Sequence, residues 1–200
     1  MTTNSLVRMV RSAGAILALT GCTSISPPTS FHTLNTAPAG VAAIAQRPEL
    51  SLGLGPIELP EMLKRPQLVI RVNASDVELS EFHQWAGDLE DTMTRTMAGQ
   101  LMEAMGTEKV AIYPWARHRA IDYQMRVDVL RFDGALGGEV VLAGTWTLAD
   151  GEGRKEINTR AFSFTENTEG DSHTDLVEAM SRLVAHLSAT AAADVVDNLP

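Results

Sequence analysis

Three consecutive stretches in the middle of the chain constrain its fold most, because each has the pattern of a β-strand. Apolar and polar residues alternate from Tyr123 to Val129, and further strands are predicted over Glu139–Leu148 and Ile157–Thr165. Turn-forming residues separate them, at Asp133-Gly134, Gly137-Gly138 and Asp150–Gly153. The sequence therefore predicts three antiparallel strands in a row.

The chain before these strands alternates between short strands and turns. We expect strands at Leu50–Leu59, Gln67–Asn73, Val77–Leu79 and Lys109–Tyr113. Pro60–Lys64 has the pattern of a single helical turn, with proline at the first helical position. The sheet should therefore contain more strands than the central three.

Two longer helices are predicted, one before the central strands and one after them. Apolar residues recur every four positions from Trp85 to Met105, and Gly106 follows as a C-terminal cap. Ser172 and Asp175 form a capping-box-like start for the last helix. Its apolar stripe comprises Leu176, Met180, Leu183, Val184, Leu187 and Ala191. We therefore expect an α/β (α+β) domain with a mixed, largely antiparallel sheet covered by both helices.

The methionines of the first helix allow two interpretations. Met93, Met97 and Met105 lie on the apolar stripe of that helix. Such a stripe can form a ligand groove, but at this spacing it more often packs in the core.

Composition limits the function classes. The 200 residues suit one domain plus a short extra segment, and 44% hydrophobic with 20% charged residues is ordinary for a globular chain. The formal net charge of −9 opposes nucleic-acid binding, which needs a basic surface. No apolar run approaches the ~18 residues of a membrane-spanning helix.

The N-terminus has the pattern of an export signal. Arg8 and Arg11 precede a short apolar run over 13–19, and Leu19–Cys22 resembles the lipobox of bacterial lipoproteins. We expect residues 1–21 to be a signal peptide and Cys22, which is the single cysteine, to be the lipidation site. Acyl chains such as palmitate would then hold the protein stably on a membrane. The alternative is an ordinary signal peptide with an incidental cysteine.

A tether is predicted between Cys22 and the domain. Residues 22–48 are rich in Ser, Thr, Pro, Ala and Gly, and the domain is expected over 49–200. The patch Phe31–Leu34 interrupts the tether, either as a first strand docked on the domain or as an apolar spot in a linker. Thr23, rather than aspartate, follows Cys22, which favours the outer membrane.

Candidate chemical sites are weak. Gly53–Pro56 lacks the glycine spacing of a nucleotide loop, and Ser172-His173 offers a hydrolase pair that competes with the capping role of the serine. The five histidines, at 32, 83, 118, 173 and 186, show no zinc-ligand spacing. Asp88, Glu90 and Asp91 suit a helix start better than a calcium site. Arg117–Arg119 is either a solvated loop or a contact for an acidic partner or a lipid head group. We predict no catalytic residue, metal or cofactor.

Motifs in a fixed order along the mature chain resemble the PqiC-type ABC-transport auxiliary lipoproteins, the membrane integrity-associated transporter subunits. They are Cys22, Phe31–Leu34, Gly55–Pro60 with Leu63 and Arg65–Val69, Phe82 with Trp85-Ala86, Tyr113–Trp115, Val127–Val129 with Phe132–Gly134, Gly138–Leu142 with Trp146, and Met180-Ser181. His32 departs from the family pattern, which usually has an aromatic residue there.

The resemblance implies an outer-membrane lipoprotein on the periplasmic face, working with an MCE-domain protein and an inner-membrane permease in lipid transport. It implies no enzyme activity, and it leaves a bound phospholipid and a homo-oligomer open. Two other classes remain: a periplasmic lipoprotein hydrolase using Ser172 and His173, and an outer-membrane assembly accessory resembling the N-terminal domain of TolB.

Overall fold

A computed structural model describes residues 27–35, 46–116 and 118–198 of the chain. Within these ranges eight strands form: β1 (Ser30–His32), β2 (Leu52–Glu58), β3 (Gln67–Arg71), β4 (Val77–Trp85), β5 (Val110–Ile112), β6 (Tyr123–Gly134), β7 (Glu139–Asp150) and β8 (Glu156–Asn167). The helices of these ranges are α1 (Leu89–Met105), α2 (His173–Asp197) and a short 3-10 turn at Glu61–Leu63. The predicted signal peptide, Cys22, most of the tether and Arg117 lie outside the described residues.

The sheet forks at β6. On one side β6, β7 and β8 form the predicted antiparallel ladder, each strand 12 residues long. On the other side β2 pairs parallel with the first half of β6, while β3 meets β6 only where Ile70 pairs with Gly134. β2 continues the sheet to β5, and β3 continues it to β4 and β1. The long pairings are antiparallel and the parallel ones short, so the predicted mixed, largely antiparallel α+β sheet is confirmed.

Both helices bury their apolar stripes. Met93, Met97 and Met105 of α1 are fully buried, which confirms that they are core residues. The apolar residues predicted for α2 are buried as well, against β6, β7 and β8 and against α1. The outward face of the ladder carries polar residues such as Arg126, Asp128 and Thr145. The two helices therefore cover the sheet as predicted.

The start predicted for the first helix was wrong. Trp85 is the last residue of β4, which is much longer than the predicted Val77–Leu79. The Trp85 N–H donates to the carbonyl of Pro66, and the Ala86 N–H donates to the carbonyl of His32. Asp88 is the N-cap and accepts a hydrogen bond from the N–H of Asp91. The four-residue spacing between Trp85 and Leu89 therefore does not reflect a helix, because a turn separates the strand that ends at Trp85 from the helix that begins at Leu89.

Candidate functional site

The tether patch is docked on the domain. β1 pairs parallel with the end of β4, where Ser30 lies opposite His83 and His32 opposite Trp85. Leu34 is only 2% exposed, and the Asn35 N–H donates to Ser181 Oγ of α2 at 2.9 Å. Of the two interpretations of Phe31–Leu34, the docked strand is confirmed.

Docking brings together three histidines that lie far apart in the sequence. His32 of β1 and His83 of β4 share a hydrogen bond of 3.0 Å between Nε2 and Nδ1. The ring of His173, the first residue of α2, stacks on that of His83 with centroids 3.6 Å apart and planes 2° from parallel. His173 Nε2 also lies 3.1 Å from Ser80 Oγ. We call these three side chains the histidine cluster.

The surroundings of His32 and His173 favour neutral imidazoles. Burial, followed by the neighbouring His83, lowers the pKa of His32. Burial also lowers the pKa of His173, with further contributions from His83 and His32, while Glu78 acts in the opposite direction. His173 in addition lies at the N-terminus of α2, where the helix dipole disfavours a cation.

The cluster borders a cleft of about 710 Å³. Its wall is partly apolar and its rim is acidic through Glu78 and Glu81. The full lining comprises Pro27, Pro28, Ile70, Glu78, Leu79, Ser80, Glu81, Phe82, His83, Leu136 and His173. Because β1 covers only His83–Trp85 of β4, the cleft runs along the part of β4 that β1 leaves uncovered. The cleft has the size and character to hold a short apolar chain beside the rings of His83 and His173.

The predicted hydrolase pair is not assembled as a nucleophile and its base. Ser172 Oγ accepts a hydrogen bond from the N–H of Asp175, and Asp175 Oδ2 accepts one from the N–H of Ser172. This is the capping box that the sequence predicted. The imidazole of His173 contacts Ser80 instead.

The glycines of Gly53–Pro56 have a packing role. They lie within β2, and a Cβ on Gly53 would meet the ring of Trp115 at 2.8 Å. Gly55 has a φ of +112° and precedes a cis peptide bond to Pro56, a conformation that few residues other than glycine adopt. This placement agrees with the sequence argument against a nucleotide loop.

The remaining candidates lie apart from the cleft. Asp88 caps α1, and Asp91 forms an ion pair with Arg95 of the same helix at 2.8 Å. His118 and Arg119 are exposed in a loop. Across the described ranges, no group of three or more His, Cys, Asp or Glu side chains is arranged to hold a metal ion.

Sequence reasoning missed the histidine cluster and two buried carboxylates. Asp133 lies between Arg71 and Arg131, at 2.5 and 3.0 Å. Asp194 of α2 accepts hydrogen bonds from Trp146 and Asn158 of the ladder. The sequence offered one weak signal, since His32 departs from the aromatic residue of the family pattern.

These features define a class of protein: an α+β domain with a forked sheet, whose first described strand, β1, docks beside a cleft. The chain belongs to the family of ABC-type transport auxiliary lipoprotein components, whose model matches residues 32–192. None of the helices in the described ranges is both long and apolar enough to cross a membrane.

Solved structures share the fold. A crystal structure of an uncharacterized protein superposes with a TM-score of 0.69 at 18% identity, covering 84% of this chain and 99% of the other. A crystal structure of a protein from Xanthomonas campestris gives a TM-score of 0.64 at 12% identity, covering 77% and 92%. A search among curated proteins found no match. At these identities the structures are evidence for the fold alone.

Proposed function

We propose that this chain is an outer-membrane lipoprotein, anchored through acyl chains on Cys22, whose domain docks a periplasm-spanning MCE-domain protein in a lipid transport system. The observation that carries the proposal is the family match over residues 32–192, which makes the chain an auxiliary lipoprotein of an ABC-type transporter. An inner-membrane permease would be the energised partner at the other end of the system. The docked protein could pass a phospholipid, and the domain could act as a homo-oligomer.

The position of the docked strand supports the anchoring part. Only eight peptide units separate Cys22 from Ser30, so the chain between them spans at most about 28 Å. With β1 docked, an acylated Cys22 would keep the domain close to the membrane surface. Thr23 after the cysteine favours the outer membrane, as argued from the sequence.

The cap role of Ser172 supports a non-enzymatic role. A nucleophilic serine needs a base that takes its proton, whereas Ser172 is committed to Asp175 and the start of α2. His173 contacts His83 and Ser80 and belongs to the docking site of the tether. We therefore propose that the domain binds partners rather than turning over a substrate.

The anchoring part is tested with Cys22→Ser in cells. We expect the variant to lose palmitate labelling and to leave the outer-membrane fraction, while Ser26→Ala, a matched change in the tether, behaves as the natural chain. A Cys22→Ser protein that is still processed and still found in the outer membrane would refute the anchor.

The partner part is tested by crosslinking in cell envelopes followed by mass spectrometry. We expect an MCE-domain protein and a permease among the crosslinked partners of the natural chain. Recovery of neither, together with ester hydrolysis that Ser172→Ala abolishes, would favour the hydrolase instead.

A further inference from the structure

β1, which lies in the predicted tether, is held by few contacts. β1 pairs with three residues of β4, Leu34 is buried, and Asn35 bonds to Ser181. The Ala86 N–H donates to the carbonyl of His32, and the His32 side chain shares a hydrogen bond with His83, which joins β1 to the histidine cluster. A change in that cluster should therefore act directly on docking.

We propose that the histidine cluster makes the docking of β1 dependent on pH, so that protonation of the cluster releases the strand and lengthens the tether. The cluster combines one imidazole from the tether with two from the domain. The backbone pairing of β1, the burial of Leu34 and the hydrogen bond of Asn35 to Ser181 involve no group that titrates near neutral pH.

The geometry of the cluster suits neutral rings. The hydrogen bond between His32 Nε2 and His83 Nδ1 needs one protonated nitrogen and one free lone pair, and a doubly charged pair has no lone pair to offer. Stacked rings 3.6 Å apart repel each other when both are charged. The released His32 can accept a proton in water, where it is neither buried nor hydrogen-bonded to His83.

Charged groups around the cluster are few. On β4, Glu78 and Glu81 line the cleft, and Glu78 favours protonation of His173. On α2, Asp175 is engaged by Ser172, and the helix N-terminus opposes a charge on His173. β1 itself carries no ionisable side chain besides His32.

The direction of the effect follows from linkage. Burial, followed by His83, lowers the pKa of His32 in the docked state, and the pKa of His173 is lowered by burial, by His83 and by the docked His32. The docked state therefore binds fewer protons than the released one. The stabilisation of docking is complete above the ordinary histidine value of 6.5 and is lost as the pH falls below it. If one imidazole stays neutral while docked and titrates normally when released, the equilibrium constant for docking falls by at most about 30-fold between pH 7.5 and pH 5.0.

The consequence for the tether rests on the proposed anchor at Cys22. With β1 docked, the chain between Cys22 and Ser30 spans at most about 28 Å. With β1, Leu34 and Asn35 released, the next attachment among the described residues is the hydrogen bond from the Arg47 N–H to the carbonyl of Met105. The 25 peptide units from Cys22 to Arg47 can span up to about 90 Å. Acid would thus allow the domain to move farther from the membrane.

Hydrogen–deuterium exchange on the full chain in detergent tests the proposal. Two amides report on docking, because the Asn35 N–H donates to Ser181 Oγ and the Ala86 N–H donates to the backbone carbonyl of His32. After correction for intrinsic exchange rates, we expect their protection to fall by about 10- to 30-fold from pH 7.5 to pH 5.0. Peptides of the core of α1 and α2 should keep their protection.

The variants separate the cluster from general acid effects. His32→Gln should reduce the fall in protection to less than about threefold, since it removes the titrating group that leaves with β1. His173→Gln keeps His32 and should leave a smaller fall than in the natural chain, of about 3- to 10-fold. His186→Gln is the matched control, because His186 stacks on Phe164 at 4.3 Å, in a separate ring contact, and it should keep the full response. If His32→Gln is undocked at pH 7.5, His173→Gln decides, because it leaves β1 unchanged.

Three results would overturn the proposal: unchanged protection at pH 5.0 in the natural chain, a full response in His173→Gln, or equal loss across the core of α1 and α2. The measurement requires no membrane. If pH-dependent docking is refuted, the proposed anchor at Cys22 is unaffected. If the anchor is refuted, the exchange result is still valid.

Discussion

Asp194 provides the sharpest test of how α2 is held on the sheet. Its side chain is 1% exposed, and its carboxylate accepts hydrogen bonds from Trp146 Nε1 at 2.9 Å and Asn158 Nδ2 at 3.1 Å. Arg160 Nε lies 2.8 Å from the same carboxylate. Asp194 lies in the last turn of α2, where the helix dipole disfavours a negative charge, so these partners must stabilise it.

The cost of substitution follows from these contacts. Asp194→Ala leaves the buried Trp146 N–H without an acceptor and removes the partner of Arg160, so we expect a loss of about 3–5 kcal/mol in the free energy of unfolding. Asp194→Asn keeps an acceptor oxygen and should lose less, about 1–3 kcal/mol. Arg160→Ala should lose below about 1 kcal/mol, because the arginine side chain is 54% exposed.

Urea unfolding followed by far-ultraviolet circular dichroism measures this order. A single domain of this size should unfold in one transition, and the three variants should shift its midpoint without changing its slope. If Asp194→Ala lies within about 0.5 kcal/mol of the natural chain, or if Arg160→Ala costs more than Asp194→Ala, the reasoning is refuted.

Further predictions concern packing and caps, and the same unfolding assay checks each. Leu183→Ala should cost about 2–5 kcal/mol because Leu183 is fully buried on α2, whereas Leu130→Ala should have little effect because Leu130 is 68% exposed; equal losses would contradict the packing of α2. Ser172→Ala should cost about 1 kcal/mol through loss of the helix cap, and an unchanged midpoint would contradict that role. Gly144→Ala should cost about 1–3 kcal/mol or more, since a Cβ there would overlap the carbonyl oxygen of Asp128 on β6. Gly99→Ala should instead stabilise the protein by about 0.5–1 kcal/mol, because the space around this α1 glycine is open. If both glycine substitutions destabilise the protein, or both stabilise it, this reasoning is contradicted.

The elements that depend on nearby residues were predictable. The ladder of β6, β7 and β8 follows from alternation and from turns between neighbouring strands, and the cap at Ser172 follows from residues three apart. The start of α1 was missed because periodicity alone cannot distinguish a strand that ends at Trp85 from the first turn of a helix. There the hydrogen bonds to Pro66 and His32 outweigh the local pattern.

The candidate site was not predictable in this way. His32 and His83 lie 51 residues apart, and His173 joins them only because α2 begins beside β4. No spacing in the sequence predicts that these three histidines are in contact, because their contact depends on which strands pair. The same holds for Trp146 and Asp194, whose contact depends on how α2 lies across β7.

The sequence by itself determined the presence of the two long helices, the caps at Gly106 and Ser172 and the order of the ladder strands, because these depend on local periodicity, turns and short motifs. The lipidation site at Cys22 stays a prediction. Tertiary structure alone decided the fork of the sheet at β6, the docking of β1 and the histidine cluster. Each of these joins segments whose pairing is set by the burial of the whole core rather than by the residues beside them in the chain.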